Sequence, residues 1–327
     1  MKINLVKIME RIAKKRPVKI LVCEGHDERM LKASAEILKK KLAKIILSGE
    51  PRLIKEKAKK LKLNINNAEI FDFKSSEIKN ELAEKLAEIR KHKGMTLEEA
   101  KKLIEDENYF GCMYVYCGYA DGIAGSAICP TAALMRPALQ ILRKEKVVSE
   151  ISAINDVKNN RILFGTDFSL NINPNAEELA QIALNAAKCV RRFGIKPKIA
   201  LLSFSTKGSG GDVPELQPIR EALKIVKEKE PNLIIDGEMQ LDAAVNKFAM
   251  KKKCPDSPLK GEANILVFPN LMASNILAHA TLQFSDMTLE FAILEGLIKP
   301  VGIVGRSTPV EAVRNIILSC AMQANSK

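Results

Sequence analysis

The sequence predicts an α/β fold built on parallel sheet, and three observations carry that expectation. Short apolar runs of strand length alternate with segments of helical rhythm along most of the chain. A strand, a glycine-rich turn and a helix start follow one another at 201–216. The 327 residues are enough for two such domains, each with its own core.

Val18–Cys23 reads as the first strand, followed by Glu24-Gly25-His26-Asp27 and a helix to about Lys40. Lys44–Leu47 is a second strand ending in Ser48-Gly49. Helices are expected at Glu77–Arg90 and Thr96–Glu105. Gly94 stops the first, and Thr96-x-x-Glu99 opens the second as a capping box. Asn108–Ala127 contains one acid, Asp121, and is expected to be buried. It leads to Pro130-Thr131 and a helix start holding Arg136 among apolar residues. A surface residue before Pro137 is one reading, but a guanidinium in such apolar company more often meets a specific anion.

The pattern then changes. Ile151–Asn155 and Arg161–Thr166 flank Lys158-Asn159-Asn160, which predicts an antiparallel hairpin. Asn173-Pro174-Asn175 opens a helix over Ala176–Phe193, ended by Gly194. Strands are expected at Lys198–Ser203, Leu233–Gln240 and Ala263–Phe268, and a last strand and helix at Ile298–Gly305 and Val310–Asn325.

The stretch after Ser203 is the first candidate site. Three glycines, Ser205, Thr206, Ser209 and Lys207 lie between a strand and a helix. Converging N–H groups, hydroxyl donors and a helix N-terminus suit an anion such as phosphate, with Gly208 allowing close approach. The Gly-Lys-[Ser/Thr] order of a P-loop is absent, and a polar turn without a ligand is the alternative. Asp236 and Glu238 reach the carboxyl end of their strand, where open sheets gather ligands, or else serve as caps and loop supports.

Composition excludes several classes. Trp is absent and aromatics make up 5%, which argues against a base-stacking nucleic-acid surface. The formal charge of +13 lies largely in Lys-rich helices; a solvated face explains most of it, and the field attracts small polyanions such as phosphates and coenzyme A. Seven scattered cysteines and three histidines give neither a zinc pattern nor a disulfide framework, so a reducing, cytoplasmic setting without a metal is expected. Met1–Arg16 is charged and lacks a signal-peptide core, and no apolar run reaches membrane-spanning length.

Taken in order, the motifs resemble the phosphate acetyltransferase (phosphotransacetylase) family, with phosphate butyryltransferases as close relatives. They are Arg90-Lys-His-Lys-Gly-Met-Thr, Tyr109-Phe-Gly, Ala120-Asp-Gly, Pro130-Thr-Ala, Arg136-Pro-Ala-Leu-Gln and Asn173-Pro-Asn-Ala-Glu-Glu-Leu. Leu202-Ser-Phe-Ser-Thr-Lys-Gly-Ser, Asp236-Gly-Glu-Met-Gln-Leu-Asp-Ala-Ala, Phe268-Pro-Asn-Leu and Gly296-Leu-Ile-Lys-Pro-Val follow. The resemblance implies two doubly wound α/β domains of the isocitrate/isopropylmalate dehydrogenase type with the active site in a cleft. The first would be discontinuous, 1–148 and 297–327, and the second 149–296, carrying the phosphate loop and a dimer interface. It also implies a homodimer that needs no metal or prosthetic group and transfers an acyl group between phosphate and coenzyme A.

That chemistry needs an activated thiol and donors around the carbonyl oxygen and the departing phosphate. The resemblance places Arg90 and Arg136 with coenzyme A, Thr131 in the substrate region, and Arg306 in the reaction zone. Ser205, Thr206, Gly208 and Ser209 would hold phosphate. The chain also departs from the family: Ser-Arg-Gly reads Gly305-Arg306-Ser307, and the acidic pair after it reads Glu311-Ala312. His-Ser-Thr reads Cys129-Pro130-Thr131, and Tyr-Lys reads Ala278-His279. Ser307 and Glu311 are the candidate replacements for the lost serine and aspartate. Three readings follow: an active acetyltransferase, one with a larger acyl group accommodated at Ala278, and a homologue that binds coenzyme A or pairs with an active subunit without turnover.

Overall fold

The computed structural model describes residues 4 to 326. Contacts divide the chain into two compact units, Leu5–Glu145 with Leu297–Lys327, and Lys146–Gly296. Of the charged segment Met1–Arg16, Leu5–Ala13 is helical, and residues 1 to 3 lie outside the described residues.

The first unit begins α1 (Leu5–Ala13), β1 (Lys19–Val22), α2 (Glu28–Lys39), β2 (Lys44–Ser48), α3 (Pro51–Lys60), β3 (Glu69–Phe71) and α4 (Lys79–Arg90). It continues with α5 (Leu97–Ile104), α6 (Glu107–Tyr116), β4 (Gly122–Gly125) and α7 (Thr131–Ile141). Local chemistry sets the helix starts. Asp27 caps α2 by accepting the N–H groups of Arg29 and Met30. Pro51 opens α3 at a position where no N–H is needed. Thr96 and Glu99 close the expected capping box of α5, and Gly94 ends the preceding turn at φ 79°.

The second unit holds β5 (Ser149–Asp156), β6 (Arg161–Thr166), α8 (Ala176–Arg192), β7 (Lys198–Leu202), α9 (Gln217–Lys229) and β8 (Ile234–Met239). α10 (Leu241–Val245), α11 (Lys247–Lys253), β9 (Ile265–Val267), α12 (Leu271–Phe284) and β10 (Thr288–Glu295) complete it. The chain then returns to the first unit as β11 (Val301–Ile303) and α13 (Val310–Asn325).

The first sheet has the order β11-β4-β1-β2-β3, with every pairing parallel. Its central strands carry Ile20, Leu21, Val22, Ile45, Ile46 and Leu47 fully buried, the continuous apolar reading of a sheet covered on both faces. Successive strands β1, β2 and β3 run one way across the sheet, while β4 and β11 lie on the other side of β1. The order therefore reverses between β1 and β4, the place where open α/β sheets bind ligands beyond the carboxyl ends.

The second sheet is mixed, with order β10-β5-β6-β9-β7-β8. β5 and β6 form the expected antiparallel hairpin, with Asp156 at its turn bonded to Asn159 and to Arg161 Nε at 2.8 Å. β6, β9, β7 and β8 are parallel. α8 starts on a second capping box, Asn175 with Glu178, which the sequence showed only as a helix opening.

Candidate active site

In the second unit β7 ends at Leu202 and releases the glycine-rich loop toward α9. The loop is built on internal bonds. Ser205 Oγ accepts the Gly210 N–H at 2.9 Å and donates to Glu238 Oε1 at 3.2 Å. The Thr206 N–H donates to Ser209 Oγ at 2.9 Å, and Thr206 Oγ1 accepts the Gln240 N–H at 3.0 Å. Gly208 donates its N–H to Glu238 Oε1 at 2.8 Å, and Arg220 reaches both Glu238 oxygens at 3.0 Å. Lys207, at φ 50°, pairs with the buried Asp236. The loop thus gathers the donors expected for an anion, and Glu238 lies among them. Ser205 and Thr206 are buried, whereas Lys207, Gly208 and Ser209 are exposed. Burial alone would raise the Glu238 pKa, but the Arg220 guanidinium and the Gly208 N–H hold it at about 2.

In the first unit the switch point between β1 and β4 holds a denser group. Glu24, at φ 54° and 7% exposed, accepts three successive N–H groups: Ala127 at 2.5 Å, Ile128 at 3.0 Å and Cys129 at 2.9 Å. Its own N–H donates to Glu107 Oε1 at 2.9 Å. Burial pushes the Glu107 carboxyl up to about 7, against hydrogen bonds from the Glu24 N–H and Ser48 that lower it.

Arg29 ties the loops after β1, β4 and β11 together. Asp27 binds its guanidinium at 3.1 and 3.0 Å. From there Arg29 Nη1 donates to the carbonyls of Gly305 at 3.1 Å and Arg306 at 2.7 Å, and Nη2 to that of Ala127 at 2.6 Å. The loop 305–308 is closed by Gly305 N–H donating to Thr308 Oγ1 at 2.9 Å. Arg306 and Ser307 are exposed, and their side chains meet no partner among the described residues. Thr131 is exposed at the first position of α7. Cys129 Sγ lies 3.5 Å from Ser126 Oγ and 3.8 Å from Asn108 Nδ2, and burial raises its thiol pKa. Asn108, 5% exposed, keeps its buried Oδ1 without a partner among the described residues.

The two arginine motifs also meet within this unit. Arg90 Nη1 donates to the Gln140 carbonyl at 3.5 Å, and Tyr109 Oη to Gln140 Oε1 at 2.9 Å. Arg90 Nε is buried without a partner among the described residues. Arg90, Lys93, Lys102, Tyr109 and Gln140 line a cavity of about 470 Å³. Burial raises the Tyr109 phenol pKa, and the charges of Arg136 and Arg90 work against it. Arg136 itself is exposed, so its apolar neighbours in sequence do not enclose it. Glu311 stands exposed on α13, 3.5 Å from Arg314 rather than paired with Arg306.

The structure therefore collects Arg306 with Ser307 on one loop, Arg90 with the Arg136 helix at one cavity, and Ser205, Thr206, Gly208 and Ser209 in one turn. Sequence reasoning gave no role to Glu24, Arg29, Glu107 or Asn108. The available signal was Asp27-x-Arg29 directly after the first strand, a charged pair where a turn needs only polarity.

The profile of the family described as Phosphate acetyl/butaryl transferase matches residues 4–321. The chain belongs to this family. A phosphate acetyltransferase of Bacillus subtilis is 39% identical over 318 residues, covering 97% of this chain and 98% of the relative. One from Thermoanaerobacterium thermosaccharolyticum is 40% identical over 321 residues, 95% of this chain and 97% of its own length. The crystal structure of a phosphotransacetylase from Streptococcus pyogenes superposes with a TM-score of 0.93 at 35% identity, covering 99% of this chain and 98% of that one. A Cβ at Gly305 would come 3.1 Å from Thr308 Oγ1, the hydroxyl that closes this loop. No helix among the described residues is long and apolar enough to cross a membrane.

Proposed function

We propose that the protein transfers an acetyl or other short acyl group between coenzyme A and inorganic phosphate. The match to the transferase family along nearly the whole chain carries this reading. Arg306, exposed and without a side-chain partner among the described residues, on a loop held by Arg29, supports it. Arg306 is free to meet charge on the tetrahedral oxygen or on phosphate, where a planar fork of donors is worth most. Ser307, beside it, supplies a hydroxyl donor. Glu311, one position before Ala312, is the nearest carboxylate in sequence to the family's base and takes the thiol proton. Arg90 and Arg136 serve the phosphates of coenzyme A around the Tyr109–Gln140 cavity. The exposed Gly208–Ser209 edge is the part of the glycine-rich loop open to phosphate, while Ser205 and Thr206 support it from below. No metal or prosthetic group has a part in this scheme.

The protein works in the cytoplasm as a homodimer. α12 supports the dimer: Met272, Ile276, Leu282 and Phe284 are 74%, 63%, 42% and 88% exposed, an apolar display that a lone chain would leave in water.

A second reading rests on Gly305 and Ala312. With both family polar groups replaced, the chain would bind coenzyme A without turning it over, or would pair with an active subunit. Thioester formation by the purified protein from coenzyme A and acetyl, propionyl or butyryl phosphate separates the readings. Turnover supports the transferase and names its acyl group; coenzyme A binding without turnover supports the second.

A further inference from the structure

We propose that the first unit carries a second anion site, for a small molecule bearing two or more phosphoryl groups on an apolar body. It lies in the cavity between α2 and the connection from α3 to β3. The segment that supplies most of its wall is strongly basic. Glu28 to Lys62 contain twelve Lys and Arg against four Glu, a surplus of eight out of the thirteen net charges of the whole chain.

The cavity measures about 780 Å³, within the range that encloses small ligands. Lys39, Lys41 and Lys62 stand on its wall, and Leu38, Leu63 and Val310 give it an apolar surface. The three lysines are exposed, and none has an ion-pair or hydrogen-bond partner among the described residues. Glu36, also on the wall, lies 3.6 Å from Arg314 and is partly neutralised by it. A neighbouring cavity of about 610 Å³ shares Leu63 and adds Lys55 and Lys59, which extends the positive surface.

Backbone conformation singles out two of these lysines. Lys41 and Lys62 follow the C-caps of α2 and α3 at φ 54° and 55°, in the left-handed region where helices usually place glycine. Lysine at such a position satisfies part of the negative helix terminus. That accounts for one charge at each end, but not for two such ends and Lys39 facing one apolar cavity. Both helix ends precede the amino ends of β2 and β3, whereas Glu24, Cys129 and Arg306 stand at carboxyl ends. A bare ion would gain nothing from Leu38 and Leu63; phosphoryl groups on the lysines with an apolar or planar body on the leucines use the whole wall.

Titration calorimetry of the full chain with ADP as the probe, without and with saturating coenzyme A, tests the site. Lys39→Gln/Lys41→Gln/Lys62→Gln should weaken ADP binding by at least about tenfold and leave coenzyme A binding unchanged, with a small fall in the melting temperature from the two helix ends. Ala35→Trp, on the same wall, should weaken ADP by filling the space without altering charge. Coenzyme A should fail to displace most of the ADP. The proposal is overturned if ADP gives no heat at millimolar concentration. It is equally overturned if coenzyme A displaces ADP fully while the triple variant binds normally, because binding is then confined to the substrate site. Pyrophosphate binding as tightly as ADP, or an unchanged Ala35→Trp, would remove the apolar half. Each readout is binding, so a failure here leaves the transferase reading untouched.

Discussion

Gly208 and Glu238 are joined by an N–H to carboxylate hydrogen bond of 2.8 Å, so the anion lying in the glycine-rich loop belongs to the chain itself. The bond reaches across 30 residues of sequence, from the loop after β7 to the end of β8. Arg220 completes it from α9.

Glu238→Gln should therefore destabilise the protein by about 2–3 kcal/mol, because Arg220 and the Gly208 N–H lose a charged acceptor in a buried place. The sign with pH follows from the lowered pKa. The carboxylate contributes fully above the ordinary value of 4.5, and its contribution is lost as pH falls toward about 2. Denaturant unfolding of both proteins should show curves that converge in acid. A difference below roughly 0.5 kcal/mol at neutral pH would mean that the pair contributes little.

Glu107 should produce the opposite dependence. Its carboxyl is raised from 4.5 to about 7, so the stability it contributes is complete below 4.5 and lost as pH rises through 7. The loss should be of order 3 kcal/mol, reduced by any relaxation around Glu24. Glu107→Gln stays neutral throughout and should flatten that part of the profile. Unfolding free energies at about pH 5 and about pH 8 check it; an equally steep variant would assign the slope to other groups.

Among the described residues the Arg306 side chain has no bond to lose. In an active enzyme, Arg306→Gln should lower kcat by roughly two to three orders of magnitude with an unchanged melting temperature. Arg306→Lys should recover part of the rate, since a point charge lacks the bidentate fork. A variant of normal kcat would move the reaction zone away from this loop.

The resemblance puts a serine at Gly305 and an aspartate at Ala312, and both can be introduced. The Cβ of Gly305→Ser meets only the Thr308 hydroxyl, at 3.1 Å, so a small shift of that side chain admits it. Gly305→Ser/Ala312→Asp should raise kcat at least about tenfold, the scale of one added acid–base group or donor. Steady-state thioester formation is the measurement, and an unchanged rate would show that Ser307 and Glu311 already perform both tasks or that neither task is performed.

The exposed face of α12 should set the oligomeric state. Ile276→Glu and Phe284→Glu place charge on residues 63% and 88% exposed, where a monomer would tolerate it. Light scattering should read a dimer for the parent chain and a monomer for the double variant. A parent that is already monomeric at micromolar concentration would assign the apolar face to another use.

Features written in local order were legible before the structure. The capping box at Thr96 and Glu99, the β5–β6 hairpin and α13 at Val310–Asn325 each depend on residues within a few positions of one another. The loop after β7 was legible as a set of donors but not as an occupied one, because Glu238 arrives from another strand. The pairing of Arg29 with Asp27 was in the local sequence, but its clamp was not: the carbonyls it holds lie 98 and 276 to 277 positions away and leave no side-chain signature. Exposure misled at Arg136, where apolar neighbours in sequence face away from it along the helix.

Arg29 holds the loops after β4 and β11 by main-chain oxygen alone, at Ala127, Gly305 and Arg306. Every residue type offers that oxygen, so the clamp places no demand on which side chains those loops carry. Cys129, Gly305 and Ser307 could each replace another residue over evolutionary time while the backbone stayed where Arg29 keeps it. The scaffold of this site is thus decoupled from its chemistry, and new reactive groups can be tried on it without first rebuilding their support.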